Sequence, residues 1–205
     1  MSQRGNYAQG DHFSRRARAA GAPARSIYKL EEIDQRWHLL RPGGRVLDLG
    51  CAPGSWLQYA AQAVGQRGQV LGIDLKPLRL HLGPQVETRI GDAFALALGE
   101  AQFDAILSDM APNTMGDRRA DAARSAGLAE HALELADRHG AVGSHVVVKV
   151  LEGGDLPGLV QRLRGSYRTV TRLRPQATRS GSTEIFLVGQ VKLAASKVGA
   201  GLPKR

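Results

Sequence analysis

The chain has 205 residues, of which 42% are hydrophobic and 23% are charged. This composition is near the average for soluble globular proteins, so it excludes a wholly disordered chain, and the length fits one domain. The charge is less ordinary, because 28 Lys and Arg residues against 19 Asp and Glu residues give a net charge of +9.

The excess positive charge lies at the two ends of the chain. Residues 1–29 contain six basic residues and one acid, residues 191–205 contain four basic residues and no acid, and residues 30–190 carry no net charge. Within the last of these ranges, one basic group has no acid between its members: Arg162, Arg164, Arg168, Arg172, Arg174 and Arg179. This distribution favours an extended polyanion as partner, since cations that contact phosphates release counterions. Basic tails that only aid solubility are the alternative.

The cysteines, histidines and apolar runs exclude several other classes. Cys51 is the only cysteine, which rules out an internal disulfide and favours a reducing compartment. No run approaches the ~20 apolar residues of a membrane span, and the polar start at residues 1–5 lacks a signal-peptide core. The six histidines show no metal-binding spacing. We therefore expect a cytoplasmic, monomeric protein that needs neither a metal nor a membrane.

The predicted domain occupies residues 26–190, between two basic ends. Residues 1–25 are polar and Arg-rich and lack apolar periodicity, so we predict a flexible arm that orders only on binding. Residues 191–205, rich in Ala, Gly and Lys, are predicted to form a flexible tail. The domain begins with Ser26 as the N-cap of a helix, whose apolar residues recur at helical intervals up to Leu40.

Apolar, β-branched runs then alternate with helical or turn segments. Helices are predicted over Trp56–Val64 and Ala120–His139, and the link at Lys76–Gln85, with two prolines, leaves little room for one. This alternation predicts βαβ units and a mostly parallel sheet with helices on both faces. Strands are predicted at Val46–Leu49, Val70–Leu75, Val86–Ile90, Phe103–Met110 and Ser144–Leu151.

The alternation breaks after a last predicted helix at Leu156–Leu163. Two strand-like runs, Tyr167–Arg174 and Thr183–Val191, are joined by a polar turn around Gly181, which predicts an antiparallel hairpin. The chain is thus predicted to be an α/β protein with a mostly parallel seven-stranded sheet, an antiparallel last strand and helices on both faces.

Two motifs at predicted strand ends indicate a ligand crevice, because open parallel sheets bind ligands beyond the carboxyl ends of their strands. The stretch DLGCAPGSW, residues 48–56, contains Gly50 and Gly54, which let the backbone approach a ligand closely. The stretch SDMAPN, residues 108–113, is expected on the opposite wall. Asp74 ends the next strand, 24 residues after Gly50, where an acid can accept hydrogen bonds from both ribose hydroxyls.

The chemistry of these residues distinguishes two nucleotide cofactors. The glycine loop lacks the G-x-G-x-x-G pattern that places a pyrophosphate at a helix N-terminus. Asp92, at a third strand end, suits the exocyclic amine of adenine and is unfavourable beside a pyrophosphate. A cationic nucleoside without phosphate, S-adenosylmethionine (SAM), therefore fits better than a dinucleotide. Alternatively, Asp74 and Asp92 only cap turns and Trp56 is ordinary core.

Four charged residues can meet in this topology: Lys29, Asp109, Lys149 and Glu184. Lys149 interrupts the apolar run HVVVKVL, and a lysine there is seldom buried without a partner. Methyl transfer to an alcohol needs a base, and a lysine can serve as one only when its ammonium form is destabilised. Burial together with a cation such as Lys29 would destabilise the ammonium of Lys149. Asp109 would orient Lys149, and Glu184 would pair with Lys29. In the alternative, Lys149 snorkels at an exposed strand end and Glu184 is an edge-strand charge.

The chain resembles one known family over residues 25–188. Its motifs are similar, in the same order, to those of the FtsJ-like ribose 2'-O-methyltransferases, in particular the members that methylate large-subunit ribosomal RNA. The matching stretches are ARSIYKLEEID, VLDLGCAPGSWLQY, SDMAPN, VVVKVLEG and RSGSTEIFLV. Cys51 and Ser55 replace an alanine and a glycine of the family pattern, and ATRSGSTE differs from the family's approach to the glutamate.

The resemblance implies the Rossmann-like fold of SAM-dependent methyltransferases and SAM as cofactor. It further implies 2'-O-methylation of a uridine in 23S ribosomal RNA, late in assembly of the 50S subunit. The implied catalytic residues are Lys149 as proton acceptor with Lys29, Asp109 and Glu184, and the implied cofactor contacts are Gly54, Trp56, Asp74, Asp92 and Asp109. The alternatives are a methyltransferase for transfer RNA or messenger RNA caps, and a non-catalytic RNA-binding ribosome-assembly factor.

Overall fold

A seven-stranded sheet organises the part of the chain that the structure, a computed structural model, describes: residues 4–95 and 97–194. In chain order the strands are β1 (Arg45–Leu49), β2 (Gln69–Asp74), β3 (Val86–Ile90), β4 (Phe103–Ser108), β5 (Gly140–Leu151), β6 (Tyr167–Leu173) and β7 (Glu184–Lys192). Across the sheet their order is β3-β2-β1-β4-β5-β7-β6, in which β7 alone runs antiparallel to its neighbours. The predicted α/β architecture, with an antiparallel last strand, is confirmed.

Within these described residues, five α-helices connect the strands and cover both faces of the sheet. They are α1 (Arg4–Ala19), α2 (Ile27–Trp37), α3 (Ser55–Val64), α4 (Arg118–His139) and α5 (Leu156–Ser166). Helices α2 and α3 pack on one face, and α4 and α5 pack on the other. Between β2 and β3 there is no helix, as the prolines of that link predicted.

Side-chain alternation along the strands directs the charged candidates to one face. On β5, Val146, Val148 and Val150 pack toward α4 and α5, whereas Val147 packs toward α2 and α3. Lys149 lies two residues after Val147 and therefore shares its face. On β7, Phe186 also packs toward α2 and α3, so Glu184, two residues earlier, is on that face as well. The strand period thus directs both residues toward α2, the helix that carries Lys29.

The N-terminal segment differs from the predicted irregular arm, because residues 4–19 form helix α1. The last turns of α1 pack on α2: the rings of Phe13 and Tyr28 lie 5.7 Å apart, and the Arg16 guanidinium lies 4.3 Å from the centre of the Tyr28 ring. Charged residues interrupt the apolar face of this helix, so its periodicity is too weak to read from the sequence. An ordering of this segment on RNA stays a prediction.

Helix α2 begins where predicted but without the predicted cap. Ser26 has helical backbone angles, φ −59° and ψ −20°, and its side chain makes no capping hydrogen bond. A capping hydroxyl needs extended backbone angles to reach the free amides of the first turn. The hydrogen-bonded turns at residues 24–28 hold Ser26 out of that conformation. Its carbonyl oxygen instead accepts a hydrogen bond from Trp56 Nε1 at 2.9 Å.

The first residues of the predicted C-terminal tail belong to the sheet, and the tail lies outside the described residues from residue 195 onward. Lys192, in β7, donates hydrogen bonds to the carbonyl oxygens of Ala136 at 2.9 Å, Asp137 at 2.6 Å and Gly140 at 2.7 Å. These carbonyls lie at the end of α4, where the helix dipole is negative and a cation is favourable.

We expect Lys192→Met to lower the free energy of unfolding by about 1–2 kcal/mol, because three carbonyl groups lose a charged donor. Urea unfolding at neutral pH, followed by circular dichroism, measures the change. Arg168→Met, at an exposed position of the neighbouring strand β6, should change the same quantity by less than ~0.5 kcal/mol. Equal losses in the two variants would contradict a specific role for Lys192.

Candidate active site

A cleft of about 330 Å³ opens at the carboxyl ends of β1 to β4. The loops after these strands form its walls, together with one residue of α4. The lining residues are Gly50, Ala52, Ile73, Asp74, Leu75, Lys76, Gly91, Asp92, Ala93, Phe94, Asp109, Met110, Ala111, Asn113 and Leu128. Strand order reverses between β1 and β4, so the cleft lies where doubly wound sheets bind ligands. A larger cavity of about 460 Å³, near the amino ends of the same strands, contains none of the predicted site residues.

Asp74 and Asp92 hold the walls of the cleft through backbone amides. Asp74 Oδ2 accepts a hydrogen bond from Ala52 N, and Asp74 Oδ1 accepts one from Lys76 N, both at 2.9 Å. Asp92 Oδ1 accepts one from Phe94 N at 3.0 Å. Each carboxylate oxygen can accept a second hydrogen bond, so both side chains retain capacity toward a ligand. Capping of the turns, which was the alternative, and ligand binding are therefore compatible at these two residues.

The close approaches at Gly50 and Gly54 come from the protein's own residues. A Cβ atom at Gly50 would lie 2.8 Å from Met110 Cγ and 3.0 Å from the Met110 backbone. A Cβ atom at Gly54 would lie 2.5 Å from Leu80 Cδ1 and 2.9 Å from Leu78 Cδ1. The motif predicted that a ligand makes both approaches, because neighbours distant in the chain leave no local signal. Gly50 lines the cleft and Gly54 does not, so a cofactor contact at Gly54 stays a prediction.

The side chain of Trp56 belongs to the core and not to the cleft. It is 2% exposed, its ring centre lies 5.6 Å from that of Phe186, and its Nε1 donates to Ser26 O. Trp56 shares the buried face of α3 with Leu57 and Ala60, which is the core alternative considered above. A cofactor contact by Trp56 stays a prediction, and it would have to come from the backbone of this residue.

Asp48 is a buried acidic residue beneath the cleft that was not among the predicted site residues. Its side chain is fully buried, and neither carboxylate oxygen has a hydrogen-bond partner among the described residues. Burial raises the pKa of Asp48 well above its ordinary value, and the charges of Asp109 and Asp74 raise it further. The acidic character of the cleft comes from the residues that line it, Asp74, Asp92 and Asp109. The available signal was an acid inside the apolar run RVLDL, the same signal that identified Lys149.

We expect Asp48→Asn to raise the free energy of unfolding at neutral pH by at least about 1 kcal/mol. The wild type must either bury a charge or protonate this carboxylate far above its ordinary pKa, and the amide avoids both without loss of volume. A raised folded-state pKa means that the wild type is most stable below the unfolded pKa, near 3.8, and loses stability as the pH rises through the folded pKa. The advantage of Asp48→Asn should therefore shrink as the pH falls toward 4. Urea titrations at several pH values measure it.

Asp34→Asn is the matched control for this prediction. Asp34 is also buried, but its carboxylate accepts hydrogen bonds from Leu40 N at 2.9 Å and Tyr59 Oη at 3.0 Å. Asp34→Asn should consequently be no more stable than the wild type. A stability loss in Asp48→Asn at neutral pH would show that the carboxylate is compensated and that the prediction is wrong.

Two ion pairs bring the four catalytic candidates together. Lys29 Nζ lies 2.7 Å from Glu184 Oε2, and Lys149 Nζ lies 2.9 Å from Asp109 Oδ1 and donates to the Asp109 carbonyl oxygen at 2.5 Å. Both lysines are only 5% exposed. Burial raises the pKa of Glu184, but the charge and hydrogen bond of Lys29 and the charge of Lys149 lower it below its ordinary value. The field of Lys149 at Glu184 joins the two pairs into one cluster beside the cleft.

The structural alternatives for Lys149 and Glu184 are wrong. Lys149 is not at an exposed strand end, since it pairs in register with Phe186 inside the sheet. Glu184 is not on an edge strand, because β7 lies between β5 and β6. The structure therefore places both side chains where a charge needs a partner, and it supplies that partner in each case.

A further cavity, of about 410 Å³, adjoins this cluster through Lys29. Its other charged lining residues are basic: Arg18 in α1, Arg25 before α2 and Arg179 in the turn before β7. Burial lowers the pKa of Arg25, and the charge of Arg179 lowers it further, although Glu184 raises it. Among the described residues none of these three arginines forms an ion pair within 4.0 Å. This basic cavity can therefore attract an anion beside the Lys-Asp-Lys-Glu cluster.

The arginine group at residues 162–179 does not form one continuous basic surface. Arg162 in α5 pairs with Glu130 at 3.1 Å and with Asp137 at 2.9 Å, both in α4. Arg174 pairs with Glu152 at 3.2 Å and donates to the Ser182 carbonyl oxygen. Of the six, Arg179 is the one that lines the basic cavity. The acids that pair with Arg162 and Arg174 are distant in the chain, so the sequence alone made these two charges look free.

The state of the single cysteine and two absences complete the description of the site and the chain. Burial raises the pKa of the Cys51 thiol to about 12, so this buried residue packs in the core and is not an activated nucleophile. In the described part of the chain, no cluster of His, Cys, Asp or Glu could hold a metal ion. In the same residues, no helix is long and apolar enough to cross a membrane.

The strand order, the acidic cleft at its switch point and the adjacent charged cluster define the Rossmann-like methyltransferase class. Comparison with protein families makes the assignment specific, since the model of the FtsJ-like methyltransferases matches residues 22–192. The chain belongs to the FtsJ-like methyltransferase family, and the resemblance inferred from its motifs is confirmed.

Similar proteins include several with one name, "Ribosomal RNA large subunit methyltransferase E". The chain is 47% identical to that of Sorangium cellulosum over 197 residues, which cover 94% of this chain and 93% of the relative. It is 41% identical to that of Myxococcus xanthus over 190 residues, which cover 89% of each. A solved ribosomal RNA methyltransferase from Plasmodium falciparum superposes with a TM-score of 0.72 at 25% identity, over 83% of this chain and 98% of that one.

Proposed function

We propose that this methyltransferase transfers a methyl group from SAM to a ribose 2'-hydroxyl of large-subunit ribosomal RNA. The observation that carries the proposal is the buried cluster of Lys29, Glu184, Lys149 and Asp109 at the junction of an acidic cleft and a basic cavity. A cationic cofactor fits the first and a polyanionic substrate fits the second. The proteins named ribosomal RNA large subunit methyltransferase E align over nearly the whole chain, which supports this substrate.

The cleft suits SAM in charge and in size. Asp74, Asp92 and Asp109 line it and give it a negative potential, which favours sulfonium and ammonium groups and disfavours phosphates. Its volume of about 330 Å³ is within the range of small-molecule sites. Asp74 would accept hydrogen bonds from the cofactor ribose, and Asp92 would accept one from the adenine amine. When bound, SAM supplies an electrophilic methyl group on a positively charged sulfur.

The charged cluster would prepare the ribose hydroxyl for attack. Lys149 is the proposed proton acceptor, with its Nζ held by both the carboxylate and the carbonyl oxygen of Asp109. A base in this position is worth roughly 10²–10⁴ in rate for so weakly acidic a hydroxyl. The Lys29–Glu184 pair offers one donor and one acceptor to the same ribose. The low exposure of both lysines keeps bulk water from the reacting oxygen.

The basic cavity would hold the RNA strand next to the target nucleotide. Arg25 and Arg179 are placed to bind phosphates beside the charged cluster, and Arg18 extends the positive surface along α1. We further propose that the target is a uridine of 23S ribosomal RNA in a nearly assembled 50S subunit, and that the protein acts in the cytoplasm as a monomer. Sedimentation analysis of the purified protein tests the last point.

Transfer of labelled methyl groups to purified 50S subunits tests the proposal, with subunits from cells that lack this modification. Mass spectrometry of nuclease digests should detect 2'-O-methyluridine in 23S ribosomal RNA, and subunits should be better substrates than free RNA. Transfer only to transfer RNA or capped RNA would replace the proposed substrate with those alternatives. Binding to subunits without any transfer would instead support a non-catalytic assembly factor.

A further inference from the structure

His131, in the middle of α4, is a nearly buried histidine outside the charged cluster, with 8% of its surface exposed. Its Nε2 lies 2.9 Å from the carbonyl oxygen of Ala93. A carbonyl oxygen can only accept a hydrogen bond, so Nε2 carries a hydrogen and donates it. The imidazole also stacks on the ring of Phe94, with centroids 4.0 Å apart and planes inclined by 13°. Both contacts join α4 to the 3-10 turn Ala93–Ala95, which forms one wall of the cleft.

In the described part of the chain, Ala93 is the one residue of this turn that packs into the core, and Phe94 and Ala95 are exposed. Phe94 is 56% exposed, and the neighbouring Leu75 and Ile90 are 71% and 69% exposed. The turn's own hydrogen bonds are local, from Phe94 N to Asp92 Oδ1 and from Ala95 N to Asp92 O. An exposed aromatic side chain on a short turn has several accessible rotamers, and the flat imidazole beneath it favours one of them.

We propose that His131 is a positioning residue that fixes the Asp92–Phe94 wall and thereby sets the affinity of the cleft for its nucleoside ligand. A wall that is not held in place must be ordered when the ligand binds, and the entropy of that ordering weakens the affinity. The inference rests on the proposed function, because it takes SAM as the ligand of this cleft. The imidazole does not line the cleft, so it acts through Ala93 and Phe94.

Two substitutions at residue 131 separate the two contacts. His131→Phe retains a ring for stacking and loses the donor, whereas His131→Gln retains a donor and loses the ring. Each should raise the dissociation constant of S-adenosylhomocysteine about three- to tenfold in calorimetry, and His131→Ala should raise it about tenfold or more. The turnover number at saturating SAM should stay within about twofold of the wild type, because the charged cluster is untouched.

His139→Phe is the matched control. His139 also lies in α4, and its Nδ1 lies 3.1 Å from the carbonyl oxygen of Ala101, but this contact is near the amino end of β4, away from the cleft. We expect the dissociation constant of S-adenosylhomocysteine for His139→Phe to stay within about twofold of the wild type. Phe94 also lines the cleft, so Phe94→Ala removes both the stacking and part of the wall itself. The position is mostly exposed, so this variant gives a result even where a residue-131 variant does not fold. It should weaken binding about three- to tenfold.

Hydrogen exchange of the Phe94 and Ala95 amides, without cofactor, gives a readout that does not depend on activity. Exchange should be faster in His131→Ala than in the wild type and unchanged in His139→Phe. Unchanged dissociation constants in His131→Phe and His131→Gln would overturn the proposal, and so would an unchanged constant in Phe94→Ala. An equal loss of affinity in His139→Phe would also overturn it, because any disturbance of α4 would then weaken binding and the contacts of His131 would have no specific role. If the wild type binds no S-adenosylhomocysteine, the proposed function fails instead, so the two failures are distinguishable.

Discussion

Lys149→Met should lower the rate of methyl transfer about a thousandfold or more, while the dissociation constant of S-adenosylhomocysteine stays within about twofold of the wild type. The reason is the separation of roles in the site: Asp74 and Asp92 line the cleft, whereas Lys149 lies beside it, held by Asp109. Transfer of labelled methyl groups to 50S subunits measures the rate, and calorimetry measures the affinity. Lys192→Met, which removes a lysine of the same sheet far from the cleft, should leave both unchanged.

Lys149→Arg distinguishes a proton acceptor from a mere positive charge. An arginine keeps the charge and much of the length of the side chain, but its guanidinium stays protonated in proteins. If Lys149 accepts the proton, the arginine variant should be nearly as inactive as Lys149→Met. Substantial activity in Lys149→Arg would assign the residue an electrostatic role and would leave the reaction without its proposed base.

Asp74→Ala should raise the dissociation constant of S-adenosylhomocysteine about 10- to 100-fold, with a smaller effect on turnover at saturating SAM. The side chain has two functions in the structure, because it accepts hydrogen bonds from Ala52 N and Lys76 N and still has lone pairs free for the ribose. Alanine removes both functions at once. Asp74→Asn keeps one carbonyl oxygen as an acceptor and should lose less affinity than Asp74→Ala.

Asp104→Ala is the control for the structural part of that loss. Asp104 Oδ2 accepts a hydrogen bond from Arg45 N at 2.8 Å, and Oδ1 accepts one from Arg41 at 2.7 Å, at the opposite end of the sheet. Its removal also deprives a backbone amide of its acceptor, yet cofactor affinity should not change. Equal effects of Asp74→Ala and Asp104→Ala would mean that Asp74 acts through stability and makes no contact with the cofactor ribose.

The fold and the charged cluster could be predicted because both leave periodic signals in the sequence. The β-branched runs have the length and spacing of strands, and the helix of Lys29 repeats apolar residues at helical intervals. Lys149 was recognisable because a charge inside an apolar run implies a buried partner. The structure supplies the partner of Lys149 at Asp109, 40 positions away in the chain, and the partner of Lys29 at Glu184, 155 positions away.

What could not be predicted depends on contacts between distant segments. The number of free arginines at residues 162–179 is reduced by acids in α4 and by Glu152, which no local pattern reveals. Helix α1 is ordered by contacts with Tyr28 and not by its own apolar face. The side chain of Trp56 turns into the core because α3 buries that face of the helix. Tertiary packing decided each of these outcomes.

The charged cluster joins the first helix of the domain to the last strand, through residues 29 and 184. Strand β7 enters the sheet between β5 and β6, both of which precede it in the chain. A nascent chain that has emerged only as far as β6 can therefore form much of the sheet, but it lacks Glu184. The proposed mechanism therefore needs β7 in place, and a copy truncated before this strand should transfer no methyl group.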